Sequence, residues 1–320
     1  MRTLTPPYRL WLALKRLAAS CRILAYPQKI RQLWNMKFMG AYFSGHKQGD
    51  RFFFLTHNYY LSRYFTVAQR IDSAIFHYGY ESKNCTAAYL HAVYHSSPGL
   101  LLWHRVVDGA RCAITLCVTD DNRYEGDLSV CCFVNDVRVC RVSFSYVNRS
   151  VFGLPPQSNM FVTRNQTDQI PELKLFRDAF KQNSPPYFCI AAVCGIAIAN
   201  GMREIYMVKA DAQIAYAEDY AESFSNSYST LWKRLGAQDI GGEHAYSMPI
   251  PLLLAPLSAV KHRSRAIARR RNWLEIATCA RLTMLGQRTS CVPPPAEGEP
   301  DEELLLWDSQ ESDNIAQGQT

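Results

Sequence analysis

The run from Tyr187 to Ala199 is apolar on every side, and a helix of that kind belongs inside a protein and not on its surface. Its limits are marked. Ser184 suits an N-cap, Pro185-Pro186 put proline in the first turn where a missing N–H costs nothing, and Asn200-Gly201 fit a helix end. The run falls short of the roughly 18 apolar residues of a spanning helix, so a buried helix is expected. After it, Glu204 to Ala210 is a short apolar run typical of a strand covered on both faces. Tyr228, Leu231, Trp232 and Leu235 then fall on one helical face closed by Gly236, and His244 to Ile250 returns as a strand. Helix, strand, helix, strand predicts an α/β (α+β) fold, a mixed sheet with flanking helices, with Trp232 buried against the apolar helix.

A chain of 320 residues that is 48% hydrophobic and 20% charged can bury a sizeable core. Net charge is +7, yet Glu297, Glu299, Asp301, Glu302, Glu303, Asp308, Glu311 and Asp313 sit in a C-terminal segment without Lys or Arg. Removing those eight acids from +7 leaves +15 on the body, which favours anionic partners: nucleic acid, phosphorylated cofactors or acidic lipid. Eleven cysteines without a C-x-x-C, mostly in apolar runs such as Cys131-Cys132, read as buried free thiols in a reducing compartment. Leu10 to Leu14, cut by Lys15-Arg16, makes no convincing signal peptide. A cytoplasmic protein is expected, with peripheral contact to an inner membrane as the variant of that reading.

Residues 1–50 alternate aromatic or aliphatic side chains with Arg and Lys, a basic helical region that either lies on an anionic membrane or, more commonly, packs on the domain. From Asn58 the series Leu61, Tyr64, Phe65, Ala68, Ile71, Ile75 predicts a helix ending near His77-Tyr78-Gly79. Ala88 to His95 reads as extended, and two or three strands are expected over 88–118. Leu128 to Val134 and Val137 to Val147 flank Asn135-Asp136 as a hairpin, with a β-bulge where the alternation changes phase between Val139 and Val142. Met160 to Thr163 is a short strand and Pro171 to Lys181 a helix. Residues 51–292 are expected to form the α/β domain, and 293–320, Pro-rich and acidic, a disordered tail in which Leu304 to Trp307 could be a recognition segment.

Candidate chemistry weighs little against plainer readings. His91-x3-His95, with His104 nearby, has the metal-ligand spacing of a helix, but an extended segment would put the ligands badly, so no metal site is expected. Glu125 and Asp127 fall on opposite faces and read as turn and edge-strand features. His77, at an expected helix end, reads as a cap or packing residue, with catalysis as its second reading. Arg263, Arg265, Arg269, Arg270 and Arg271 read as a solvated helix face able to meet an anionic membrane surface or envelope component.

The helix ending in His77-Tyr78, the block Arg123-Tyr124-Glu125-Gly126-Asp127-Leu128 followed by Val142-Ser143-Phe144-Ser145-Tyr146, and the stretch with Tyr228, Leu231, Trp232, Lys233 and Gly236 together resemble the VirK/YbjX family. The resemblance covers roughly residues 20–290. It implies a Gram-negative bacterial protein linked to virulence, surface-protein expression or localisation and antimicrobial-peptide resistance, with a DNA-damage response attached to some relatives and no established reaction. One departure is that Arg164-Asn165-Gln166-Thr167 stands where relatives tend to show Leu-Gln-Gly. The order of elements also resembles the second half of a GNAT acyltransferase. That resemblance implies acyl-CoA held by backbone donors near Arg164, Gln166 and Thr167, Tyr228 as general acid, and a concave site between strands at Met160–Thr163 and Ile205–Val208 that splay apart. The turn expected near Arg164 to Gln169 has no glycine. A nucleic-acid binder using Arg269, Arg270 and Arg271 ranks last, because the aromatics are spaced for packing and no helix-turn-helix or zinc knuckle is present.

Overall fold

Helix caps, turns and apolar runs divide the chain, in the computed structural model, into sixteen helices and strands over residues 24–36, 58–119, 123–181, 183–242, 244–252 and 256–289, which are the residues described. They are α1 (Pro27–Asn35), α2 (Val67–Asn84), α3 (Ala87–Tyr94), β1 (Leu100–Val107), β2 (Ala110–Val118), β3 (Leu128–Val134), β4 (Val137–Asn148) and β5 (Ser158–Thr167). Then follow α4 (Glu172–Ala179), α5 (Pro185–Ala199), β6 (Glu204–Val208), α6 (Ala221–Ser225), α7 (Leu231–Arg234), β7 (Gln238–Asp239), β8 (Ala245–Pro249) and α8 (Arg263–Leu285). Most of the expected basic N-terminal region and all of the acidic tail lie outside the described residues.

The strands make one eight-stranded mixed sheet in the order β1-β2-β3-β4-β5-β6-β8-β7, antiparallel except where β5 meets β6. The hairpin forms as expected. Asn135 (φ 48°) and Asp136 (φ 65°) both take the left-handed conformation that a two-residue turn requires. Cys132 pairs with Cys140 and Phe133 with Arg138, so Val139 is the extra residue of the predicted bulge. A second bulge, not foreseen, lies on β5: Ser143 pairs with Arg164 and Phe144 with Val162, leaving Thr163 over.

The apolar run is α5, lying under β2 to β6, and every side of it is buried because α8 covers the face turned from the sheet. The two helices touch at Gly195, where a Cβ would come within 2.2 Å of the Ala277 carbonyl oxygen. Its end is the expected one: Gly201 (φ 70°) donates its N–H to Ile198 O at 2.9 Å and Met202 to Ala197 O at 3.0 Å. Its start differs in detail, since Ser184 precedes the helix in extended backbone but its hydroxyl caps nothing.

Two expectations fail for local reasons. The helix expected from Asn58 starts at Val67, because Thr66 and Gln69 form a reciprocal capping box and Leu61 (φ 61°) is left-handed. It also runs past Gly79 to Asn84, since a single glycine weakens a helix without ending it. Ala88 to His95 is not extended but helical, as α3, with the Thr86 hydroxyl accepting the Tyr89 N–H at 3.1 Å. The nine described cysteines form no disulfide, and burial pushes the Cys112 thiol up to about 11 and that of Cys194 up to about 12. No described helix is long and apolar enough to cross a membrane.

Candidate functional site

Gly126 decides where two acids go. Its φ of +129° and its closeness to β4, where a Cβ would lie 2.9 Å from the Phe144 nitrogen, admit no side chain. The tight passage sends Glu125 and Asp127 into two different polar clusters. Opposite faces were expected, and so was an edge-strand role; that role fails, because β3 is interior and both acids are buried.

Asp127 enters a closed cluster between α2, α3 and the sheet. Its carboxylate accepts the Tyr60 hydroxyl at 2.6 Å, the Tyr78 hydroxyl at 2.9 Å and the Ser145 hydroxyl at 2.5 Å. One turn along α2 from His77, Glu81 accepts the hydroxyls of Tyr89 at 2.8 Å and Tyr94. His77 stands between them, its Nε2 3.2 Å from Glu81 and 4.0 Å from Asp127, and no part of it reaches solvent. It lies mid-helix, not at the expected helix end. Burial presses the imidazole pKa down, but the Asp127 and Glu81 charges outweigh it and raise it. The Tyr146 N–H, 3.2 Å from Nδ1, favours the neutral ring instead. Two carboxylates at such range in a dry interior exceed one long neutral hydrogen bond worth about 1 kcal/mol, so the raised direction holds.

Glu125 enters an open cleft of about 280 Å³. Its carboxylate pairs with the Arg164 Nε at 3.1 Å and accepts the Gln213 side-chain amide at 2.8 Å. The cleft exists because β5 and β6 part. They pair only at Phe161–Tyr206 and Val162–Met207, after which β5 runs on to Thr167 with the bulge at Thr163. Into the gap comes Tyr228, carried on a π-turn (Asn226–Thr230) between α6 and α7, a rare local geometry that recurs at functional sites. Its ring stacks on Phe224 (centroids 5.8 Å apart, 10° between planes) and meets Trp232 edge-on. Its hydroxyl accepts the Asn165 N–H at 3.3 Å, while the Asn165 side-chain amide donates to Ser227 O at 2.9 Å. The Asn165 Oδ1 is buried and without a partner among the described residues. Burial first, and then the Glu125 charge, outweigh the Asn165 N–H and Arg164, so the Tyr228 pKa is raised and the phenol keeps its proton.

Of the residues singled out from sequence, Tyr228, Arg164 and Gln166 come together here, and His77 does not. Thr167 turns its hydroxyl to the Cys140 sulfur and does not line the cleft. Arg164 to Thr167 is strand, not a phosphate-binding turn, and the chain then presents Asp168 and, in the first turn of α4, Glu172. Trp232 is fully buried, its indole N–H donating to Val208 O at the end of β6. Sequence reasoning missed Gln213 and Phe224 and undervalued Glu125. Phe224 alone had a local signal, sitting four residues before Tyr228 as Trp232 sits four after. His91 and His95 do share a helical turn, with ring centroids 5.9 Å apart, yet among the described residues no metal-holding group forms.

A family model described as a protein of unknown function (DUF535) matches residues 14–278. No curated protein matches the chain, and no solved structure does.

Proposed function

This chain belongs to the DUF535 family, and we propose that it is an acyltransferase that moves an acyl group from a thioester to an amine at the Tyr228 cleft. One observation carries the reading: a phenol that keeps its proton stands where two parallel strands separate and leave the outer edge of β5 facing a cleft. An extended amide-bearing thioester arm can lie along such an edge, with the lone Asn165 Oδ1 as an acceptor for one of its N–H groups. Tyr228 then protonates the departing thiolate, and Glu125, released from Arg164, takes the proton of the attacking amine. Resemblance to the VirK/YbjX family favours an amine of the bacterial envelope as acceptor, in the service of virulence or peptide resistance.

Acyl-CoA is a poor fit beyond its reactive end. Two acids, Asp168 and Glu172, follow β5 where a pyrophosphate would need donors, and the cleft is just below the volume of pockets that enclose a whole ligand. The donor's recognised part is therefore its thioester-bearing arm. Titration calorimetry should show an acyl-pantetheine thioester binding within a few-fold of acyl-CoA, and a thiol-release assay over a panel of primary amines should show turnover. Tyr228→Phe should lower that turnover by about 10²–10⁴-fold. Absence of binding by both thioesters at millimolar concentration would sink the reading.

A further inference from the structure

Two adjacent residues of β3 hold their thiols in opposite settings. Cys132 faces α5 with its cross-strand partner Cys140, and burial pushes its thiol well up, so it stays protonated and inert. Cys131 lies on the other face, two residues from Ser129, whose hydroxyl stands 2.8 Å from those of Thr119 and Ser143. On that polar face its sulfur is 3.9 Å from the sulfur of Cys117 on β2. Arg141, buried, stands directly opposite Cys131 on β4, and reactive thiols sit beside cations. Of the nine described cysteines seven are buried, and Cys117 is one of the two that are half-buried. Its place in the sheet explains this. β1 meets β2 only as far as Leu116, and Gly99 passes over Cys117 without a side chain, where a Cβ would lie 2.8 Å from the Cys117 Cβ.

We propose that Cys117 and Cys131 form a reversible redox site, oxidised by a hydroperoxide to a disulfide and reopened by thiols. The Cys117 thiolate, the one within reach of solvent, attacks the peroxide: an S–O bond forms, the O–O bond breaks, and the departing oxygen takes a proton and leaves as water or an alcohol. The Cys131 thiolate then attacks the Cys117 sulfur: the S–S bond forms, the S–O bond breaks, and hydroxide takes the second proton and leaves as water. One hydroperoxide is reduced and two thiols are oxidised. The two residues are diagonal neighbours, since Cys117 pairs with Ser129 and Cys131 with Thr115. Diagonal neighbours in an antiparallel pair stand about 7–8 Å apart, whereas the Cα atoms of a relaxed disulfide stand about 5.5–6 Å apart. The bond therefore forms by drawing β2 and β3 together, and a disulfide made under such strain is readily reduced. That suits a site that cycles and not a permanent staple. Cys132 and Cys140 stand directly opposite each other, but solvent reaches neither. The site holds whether or not the Tyr228 cleft transfers acyl groups.

Hydrogen peroxide in small excess over the folded full chain, followed by N-ethylmaleimide under denaturing conditions and peptide mapping, tests the site. The expected product is an intramolecular link from Cys117 to the peptide that holds Cys131 and Cys132, lighter by two hydrogens than the reduced chain and reopened by reduced glutathione without unfolding. Two variants assign the partner. Cys132→Ala should keep the link, and Cys131→Ser should stop the reaction at the Cys117 sulfenic acid, which dimedone then labels. If Cys132→Ala fails to fold, fragmentation of the parent's linked peptide between residues 131 and 132 makes the same assignment. A link from Cys117 to any other cysteine, links only between two molecules, or Cys117 and Cys131 both still open to maleimide after peroxide would overturn the proposal. So would a link that glutathione opens only after the chain is unfolded.

Discussion

The His77 cluster and the Tyr228 cleft are built from the same kinds of group, phenol, carboxylate and one basic side chain, on either side of Gly126. They differ in closure. In the first, the carboxylates of Asp127 and Glu81 take up the hydroxyls of Tyr60, Tyr78, Ser145, Tyr89 and Tyr94 around a fully buried His77, whose Nε2 makes no hydrogen bond but lies 3.2 Å from Glu81, and the result ties α2 and α3 to the sheet. In the second, Glu125 and Arg164 are equally buried, but the pair borders a cleft and Asn165 Oδ1 is left without a partner. A closed polar cluster stabilises and specifies; one with an open side and an acceptor beside it is arranged to take something else in. A perturbed titratable group alone would have pointed to both regions.

That contrast predicts opposite costs. Asp127→Ala leaves three hydroxyls and an imidazole facing a void, and truncating one partner of a buried charged network costs about 3–5 kcal/mol. Chemical denaturation should show that loss, or the variant should fail to accumulate in soluble form; a loss below about 1 kcal/mol would mean the cluster is not what holds α2. Trp232→Ala, which removes the ring that meets Tyr228 edge-on, should cost a similar 3–5 kcal/mol through lost packing. If it folded with an unchanged melting temperature, the cleft would have no rigid back wall and the comparison would fail on that side.

A pH series sharpens the contrast at smaller scale. Because the folded-state pKa of His77 is raised, the folded protein holds the proton more tightly than the unfolded chain. That stabilisation is fully present below the unfolded value near 6.5 and is lost as pH rises through the raised folded value. The stability difference between the parent and His77→Gln should therefore shrink as pH climbs from about 6 towards 9. A difference that stays flat would mean the ring is neutral throughout and the Tyr146 N–H governs its state.

Much of the frame was legible because its signals are local. All-round apolarity fixed α5, Asn135-Asp136 fixed the hairpin, and a phase change in alternation located the bulge at Val139. The start of α2 is also marked in the sequence, by Thr66 and Gln69 three residues apart, but the apolar series from Leu61 has helical spacing and masks it. The clusters were not legible as clusters. Tyr60 and Asp127 are 67 residues apart and Glu125 and Gln213 are 88 apart, and no periodicity encodes such a meeting. Tyr228 was found because its helical face was plain, whereas the π-turn that carries it leaves no mark in the pattern. The phosphate-binding turn expected at Arg164 to Gln169 failed because those residues continue the ladder to β4.

The most direct test of the central claim removes a single oxygen. Tyr228→Phe keeps the stack on Phe224 and the contact with Trp232 and loses only the hydroxyl that accepts the Asn165 N–H, a bond worth about 1 kcal/mol. Thermal unfolding and thiol release, measured on the same preparation, should show a melting temperature within a few degrees of the parent and turnover down by about 10²–10⁴-fold. Full turnover with an intact fold, or a loss of stability as large as that of Asp127→Ala, would contradict it and make Tyr228 one more part of the core.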